Sequence, residues 1–299
     1  MVTVLIDGYF VSEEGKVHVT NIRKEAINAS SHWWGLDILL YEVGFGVNTG
    51  WKGEGVPPFD YAAEMLDARI NFIVHSALYA FDNPESYRVR IFLSGPENFR
   101  IQIAKRKGYK ENRKDSVKPF HYHNIKAYMQ NVYDVTVTDG IEADDALCIE
   151  RAKDIENTIV CSRDKDLRQH EGWIYSWEIG KQPSFGPFFV EGYGDIQLTK
   201  KGKANELKGY GTKFFLSQVI TGDTVDNYPG LKGYGPVEAF KMLGATLTYE
   251  EGIKAVVEAY RGVYGDSWRE ELEEQARLAY ILTKDLGEPD EKLLMLLQE

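Results

Sequence analysis

Carboxylates are spaced through the chain in a way that metal-assisted phosphoryl chemistry would use. Glu142, Asp144 and Asp145 lie in Ile-Glu-Ala-Asp-Asp-Ala-Leu, Asp164 and Asp166 in Cys-Ser-Arg-Asp-Lys-Asp-Leu, and Asp223 and Asp226 in Gly-Asp-Thr-Val-Asp-Asn. Asp7 ends the apolar run 2–6. On a helix starting near residue 141, Glu142 and Asp145 share a face with Ile149, and Asp144 lies beside them at the exposed end. Carboxylates crowded into one pocket repel unless positive charge sits among them. Oxygen-only donors suit magnesium or manganese, whereas zinc would bring His or Cys. Two such ions about 4 Å apart would activate a water and stabilise both oxygens of an in-line displacement. Any one of these motifs alone could equally be a helix cap or a dipole partner. It is the three together, two of them preceded by strand-like sequence, that point to a site.

A second feature is the stretch from Thr221 to Lys241, where a glycine-rich loop with Gly230, Leu231, Lys232, Gly233 and Gly235 separates two helical segments. Pro236 stands at the favoured first position of the second helix. Such glycines let backbone N–H groups approach a phosphate, helped by the positive end of the helix. This helix-hairpin-helix layout would grip a nucleic-acid backbone without reading bases. A third feature is basic: Arg100, Lys105, Arg106, Lys107, Lys110, Arg113, Lys114, Lys118 and Lys126 face only Glu111 and Asp115 between positions 100 and 126. Tyr109 beside Lys110 could stack a base while the lysine neutralises its phosphate.

These residues need elements to hold them. The run 2–6 reads as a buried parallel strand with Asp7 at its carboxyl end, the edge at which open α/β sheets bind ligands. Residues 48–58 read as a Gly/Pro-rich loop and 61–81 as a core helix, with apolar residues at spacings of three and four. Strands are expected at 87–93, 132–137 and 158–161, with a fifth at 173–177, and a hairpin excursion within 180–211. Helices follow at 214–221, 236–243, 249–260 and 268–282. The fold class expected is α/β, a mainly parallel central sheet flanked by helices. It divides into a core over 1–205, which carries the basic segment at about 100–130, and a helical region over 206–299.

Composition narrows the classes. The net charge of −11 opposes nucleic-acid binding by the chain as a whole, but the local basic segment overrides the total. Cys148 and Cys161, each among apolar neighbours, exclude a disulfide framework and a zinc cluster. No run is apolar enough to span a membrane and the start lacks a signal peptide, so a cytoplasmic location is expected. No internal repeat is present.

Taken in order, Tyr109-Lys-Glu-Asn-Arg-Lys, Glu142-Ala-Asp-Asp, Ser162-Arg-Asp-Lys-Asp and Gly222-Asp-Thr-Val-Asp-Asn-Tyr-Pro-Gly-Leu-Lys-Gly-Tyr-Gly-Pro resemble successive motifs of the 5′-nuclease family, above all the short-arch phage 5′-to-3′ exonucleases and flap endonucleases. The resemblance runs from Asp7 to about Leu243. It implies a resolvase-like, PIN-like sheet, a helical arch and a helix-three-turn-helix element with a potassium ion against the duplex. It implies metal-dependent hydrolysis of DNA, or of RNA:DNA hybrids, at free 5′ ends and flaps, by a monomer in the cytoplasm of a bacterial host, alongside replication proteins. Carried over by motif, Asp7, Glu142 and Asp144 would bind one magnesium ion, and Asp145, Asp164, Asp166 and Asp223 the second, with Asp226 at the margin of the set. Lys110 and Arg113 would engage the reacting phosphates, with Tyr109 near the terminal base. Lys105, Arg106, Lys107 and Lys114 would line the DNA path, and Gly230, Leu231, Lys232, Gly233 and Gly235 the duplex-gripping loop.

One departure bears on activity. Where the family places an aspartate after the second strand, this chain reads Leu93-Ser-Gly-Pro-Glu-Asn, so Ser94 or Gly95 takes its place, with Glu97 as a substitute to be tested. A chain weakened in this way could be a branched-DNA binding protein of the same fold; an RNA-cleaving PIN-type nuclease would account for the acids but not for the glycine loop. His121 and His123 are expected to face solvent or bases. Trp33, Trp34 and Trp51 are expected in the core or at an interface.

Overall fold

The structure is a computed structural model. It describes residues 2–7, 32–34, 43, 56–113 and 119–299, with residues 2–7, 32–34 and 113 described by backbone alone. The chain falls into two compact units: Met1–Glu97, Val117–Leu167 and Gly172–Phe189 form the first, and Asn98–Ser116, Arg168–Glu171 and Val190–Glu299 the second.

The first unit is built on a seven-stranded sheet. Its strands are β1 (Val2–Asp7), β2 (His32–Trp34), β3 (Tyr87–Leu93), β4 (Val135–Val137), β5 (Thr158–Cys161), β6 (Gly172–Ser176) and β7 (Phe185–Val190), in the order β4-β3-β1-β2-β5-β6-β7. Pairings of β1 with β2, β3 and β5, of β3 with β4 and of β5 with β6 are all parallel. Parallel strands are buried on both faces, which is why Thr158–Cys161 is a continuous buried run. The expected α/β class with a mainly parallel sheet is therefore observed.

Helices make the crossovers. α1 (Phe59–Leu78) buries Ala62, Ala63, Leu66, Ile70, Ile73, Val74 and Ala77 and packs on β1 and β5. α2 is the short helix Phe99–Ile103, which belongs to the second unit; α3 (Tyr122–Val132) leads into β4, and α4 (Ala143–Arg151) packs against β1, β2, β3 and β5. Because β1, β3, β4 and β5 run the same way, the residues that come after them emerge at one sheet edge.

Several expectations are corrected. The strand expected from residue 132 begins at Val135, because the helix runs through Val132. Trp33 and Trp34 contribute a strand: their backbone sits between β1 and β5, with Trp33 opposite both Ile6 and Val160. Trp51 and the loop expected from 48 lie, up to residue 55, outside the described residues. His121 is buried, not solvent-facing, because its Nε2 pairs with the Pro57 carbonyl (2.9 Å) and its ring meets Phe59 and Phe120; His123 is exposed as expected. Both cysteines are buried free thiols, and burial pushes Cys148 up to about 12.

The second unit is helical with one hairpin. β8 (Asp195–Lys201) and β9 (Ala204–Tyr210) pair antiparallel along their whole length around Gly202, whose φ of +63° suits a two-residue turn. α5 (Gly211–Thr221), α6 (Pro236–Leu243), α7 (Tyr249–Tyr264), α8 (Trp268–Ala279) and α9 (Glu291–Gln298) complete it. Its core gathers Phe214, Phe215, Val219, Val256, Tyr260 and Leu272. The hairpin packs on α5 and α6, so it joins the helices, whereas a boundary at 205 would cut through β9. Among the described residues no helix is long and apolar enough to cross a membrane.

Candidate functional site

At the carboxyl edge of the sheet the first turn of α4 carries three acids. Glu142 is the N-cap, and with Asp145 it forms a capping box in which the Glu142 N–H donates to Asp145 Oδ2 (3.0 Å). Asp145 is fully buried, Glu142 is nearly so, and Asp144 is half-buried. After β5, Ser162 Oγ accepts the Asp164 N–H (3.0 Å), Asp164 Oδ1 accepts the Asp166 N–H (2.9 Å), and Lys165 Nζ pairs with Asp166 (2.9 Å). This tight turn presents two half-buried carboxylates where β5 ends. Asp7 closes β1 in register with Trp34.

Ser94 comes directly after β3 at this same edge. Its Oγ accepts the N–H of Ala143 (3.0 Å), satisfying one of the open donors at the start of α4. Gly95 could not carry a carboxylate: a Cβ there would lie 2.1 Å from the Thr138 carbonyl oxygen, and Thr138 is itself tied to Leu93 (2.8 Å). Gly95 is thereby ruled out as a carboxylate position, Ser94 is half-buried beside the start of α4, and Glu97 is exposed. The donors at this edge are oxygens alone, the set that hard divalent ions take. Among the described residues no three His, Cys, Asp or Glu side chains are grouped as a metal site; the side chain of Asp7 is not among them.

The remaining predicted residues sit in the second unit. Asp223 Oδ1 accepts the N–H groups of Val225 (2.6 Å) and Asp226 (3.4 Å), folding the loop after α5 into a turn. Tyr109 takes a different place from the one expected: it is buried in the core of this unit, and its hydroxyl donates to Asp226 Oδ2 (2.8 Å), so its ring offers no face to a base. Arg106 is likewise engaged within the protein, with Glu271 (3.1 Å), the Tyr264 hydroxyl (2.8 Å) and the Gly230 carbonyl (3.4 Å). Lys105 and Lys107 are exposed, Lys110 is half-buried, Arg113 closes a 3₁₀ turn from Glu111, and Lys114 lies outside the described residues. Sequence reasoning missed Glu274, whose buried Oε1 accepts the N–H of both Lys105 (2.7 Å) and Arg106 (2.9 Å), and Gln275, which accepts the Gly230 N–H (2.8 Å). A helical acid 169 positions from Lys105 and an amide 45 positions from Gly230 carry no sequence signal for such roles.

The glycine loop divides by function. Gly222 (φ +65°) and Gly230 (φ +67°) stand back to back: a Cβ on Gly230 would lie 2.3 Å from Gly222 N and 2.5 Å from Ile220 O. Leu231 is buried and its N–H donates to Ile220 O (2.9 Å), so these two close the loop rather than line its surface. Lys232 and Gly233 are exposed, and among the described residues the Gly233 N–H has no partner within the protein. Gly235 is the N-cap of α6, and its N–H is accepted by Glu238 (3.1 Å). Gly230→Ala should therefore destabilise the protein by about 3 kcal/mol, combining a left-handed φ with a backbone clash. Gly235→Ala, whose Cβ would make only an ordinary 3.5 Å contact with Glu238 at an ordinary φ, should change stability by less than about 1 kcal/mol. Urea unfolding of both variants checks the contrast.

No family model and no curated protein matches the chain. Bacteriophage T5 5′-exonuclease with bound zinc is 13% identical, with a TM-score of 0.39 over 71% of this chain and 91% of that one. Bacteriophage T5 flap endonuclease in a pseudo-enzyme–product complex with DNA and metal ions is 13% identical, with a TM-score of 0.42 over 80% of this chain and 97% of that one. Both likenesses are distant and concern the fold alone.

Proposed function

We propose that the protein is a divalent-metal-dependent 5′-nuclease acting on DNA ends and flaps. The observation that carries this reading is that Glu142, Asp144 and Asp145 at the start of α4, and Asp164 and Asp166 in the turn after β5, come after the carboxyl ends of parallel strands of one sheet and offer oxygen donors alone. Asp7 and Asp223 complete the set by motif. When bound, magnesium or manganese ions supply an activated water and neutralise charge on the reacting phosphate. The chain's own part is to hold these carboxylates oriented: the capping box fixes Asp145 through the Glu142 N–H, and the 162–166 turn fixes Asp164 through the Asp166 N–H and the Ser162 hydroxyl. In the second unit Lys105, Lys107, Lys110, Arg113, Lys114 and Lys232 neutralise DNA phosphates, and the exposed Gly233 amide with the start of α6 grips the duplex backbone, with potassium as the loop's ion. Action on RNA:DNA hybrids, a monomeric state and a place in phage replication belong to the same proposal.

A 5′-labelled flap duplex incubated with magnesium, manganese or EDTA tests it. The expected result is release of short 5′ products in either metal, none in EDTA and none from Asp164→Asn. Ser94→Asp keeps an acceptor for the Ala143 N–H and adds a carboxylate, so it should tighten magnesium binding by about tenfold. Binding of the flap without cleavage in any metal would favour the alternative of a branched-DNA binding protein, which the serine at position 94 makes the specific rival.

A further inference from the structure

Residues 108–112 of the basic segment are bonded to the loop that succeeds α5. Tyr109 Oη donates to Asp226 Oδ2 (2.8 Å), and Lys110 Nζ lies 3.6 Å from the same oxygen and 5.1 Å from the Tyr109 ring centre. The Lys110 N–H donates to the Asp226 carbonyl (3.0 Å). Asn112 Nδ2 donates to the carbonyls of Thr224 (3.0 Å) and Val225 (3.3 Å), and Asn227 Nδ2 returns a bond to Gly108 O (2.8 Å). Lys110 and Asn227 both hold left-handed backbones, at φ +52° and +62°. Non-glycine residues keep such conformations where surrounding bonds over-determine them.

We propose that Asp226 is a positioning residue which, through Tyr109 and Lys110, fixes the basic segment on the glycine-bounded loop, and that it is not a metal ligand. Its carboxylate already accepts a phenol proton and is paired with an ammonium, so its charge is answered within the second unit. Tyr109, buried beneath Lys110, sets the height and direction of that lysine. Asp226 therefore acts on the substrate phosphate only through Lys110, and this role rests on the nuclease reading above. The bonding of segment to loop does not.

Limited trypsin digestion separates the two. Cleavage after Lys107 and Lys110 should rise about tenfold in Asp226→Ala and in Tyr109→Phe, which deletes a single hydroxyl, while Asp226→Asn, which keeps an acceptor for Tyr109, stays nearer the wild type. Manganese affinity, measured by titration calorimetry, should stay within about twofold in Asp226→Ala but fall at least tenfold in Asp164→Asn. In the flap assay kcat should fall in both Tyr109→Phe and Asp226→Ala, and the double variant should be no worse than the poorer single one, as expected of residues acting as one unit. An unchanged tryptic pattern in both single variants overturns the proposal, as does a loss of manganese affinity in Asp226→Ala equal to that of Asp164→Asn. A wild type that cleaves no DNA overturns the nuclease reading, and with it the role toward phosphate, while the tryptic comparison still decides whether Asp226 holds the segment.

Discussion

Asp145→Asn is expected to reduce cleavage of a 5′ flap by about a hundredfold or more while leaving the melting temperature close to that of the wild type. The two effects separate because Asp145 has two roles. Its Oδ2 accepts the Glu142 N–H at 3.0 Å in the capping box of α4, and an asparagine carbonyl can accept the same bond. What asparagine removes is the negative charge, which on the proposed mechanism balances a divalent ion. Asp145→Ala removes both, and should cost about 1 kcal/mol of stability in addition to activity. Duplex binding in calcium should persist in both variants, because the cations proposed to meet DNA lie in the second unit. Thermal unfolding, flap cleavage in magnesium and a binding titration on the same preparations check each part. Full cleavage by both Asp145→Asn and Asp164→Asn would remove the carboxylate edge from the mechanism.

Much of that edge was legible because each acid comes after an apolar run that can only be a buried strand, or opens a helix whose apolar residues recur at helical spacing. Strands at 87–93 and 158–161 carry the β-branched pattern of a parallel sheet and were found with those bounds. β2 was not readable: three residues, His-Trp-Trp, are too few for a period, and their strand character comes from the pairing slot between β1 and β5. Nor were the places of Tyr109 and Arg106. A tyrosine within a basic run has the composition of a nucleic-acid contact, and only its packing against residues more than a hundred positions away makes it part of a core. The glycines gave a mixed signal. Their clustering marked the loop correctly, but composition cannot tell Gly230, which must let backbone pass at 2.3 Å, from Gly235, which caps a helix.

The stability of the protein should fall as pH rises from about 4 toward 9, and among the described residues Asp67 accounts for the largest single share. Asp67 lies on the buried stripe of α1, between Ala63 and Ile70, and among the described residues neither carboxyl oxygen has a hydrogen-bond partner. Burial, reinforced by the charge of Glu64 one turn earlier, raises it from 3.8 to about 9. The hydroxyls of Tyr128 and Tyr133 are the other titratable groups facing it, and both are pushed up by their own burial. In the folded protein Asp67 is therefore neutral at pH 7, whereas in the unfolded chain it is ionised. A folded-state value above the unfolded one means that the native state holds the extra proton, so stability is lost as pH climbs through the interval between the two values and is flat above it. At pH 7 this amounts to an order of 4 kcal/mol. Asp67→Asn removes the ionisation but leaves a buried polar group, so the gain should be roughly 2–4 kcal/mol, or about 5–10 °C in melting temperature at pH 8. At pH 4, where the unfolded-state carboxyl is still about 40% protonated, the ionisation contributes only about 0.6 kcal/mol and the two proteins should differ little. Paired urea titrations of wild type and Asp67→Asn from pH 4 to 10 measure the difference directly. A constant difference across that range would mean that the carboxyl of Asp67 reaches water and ionises in the native state.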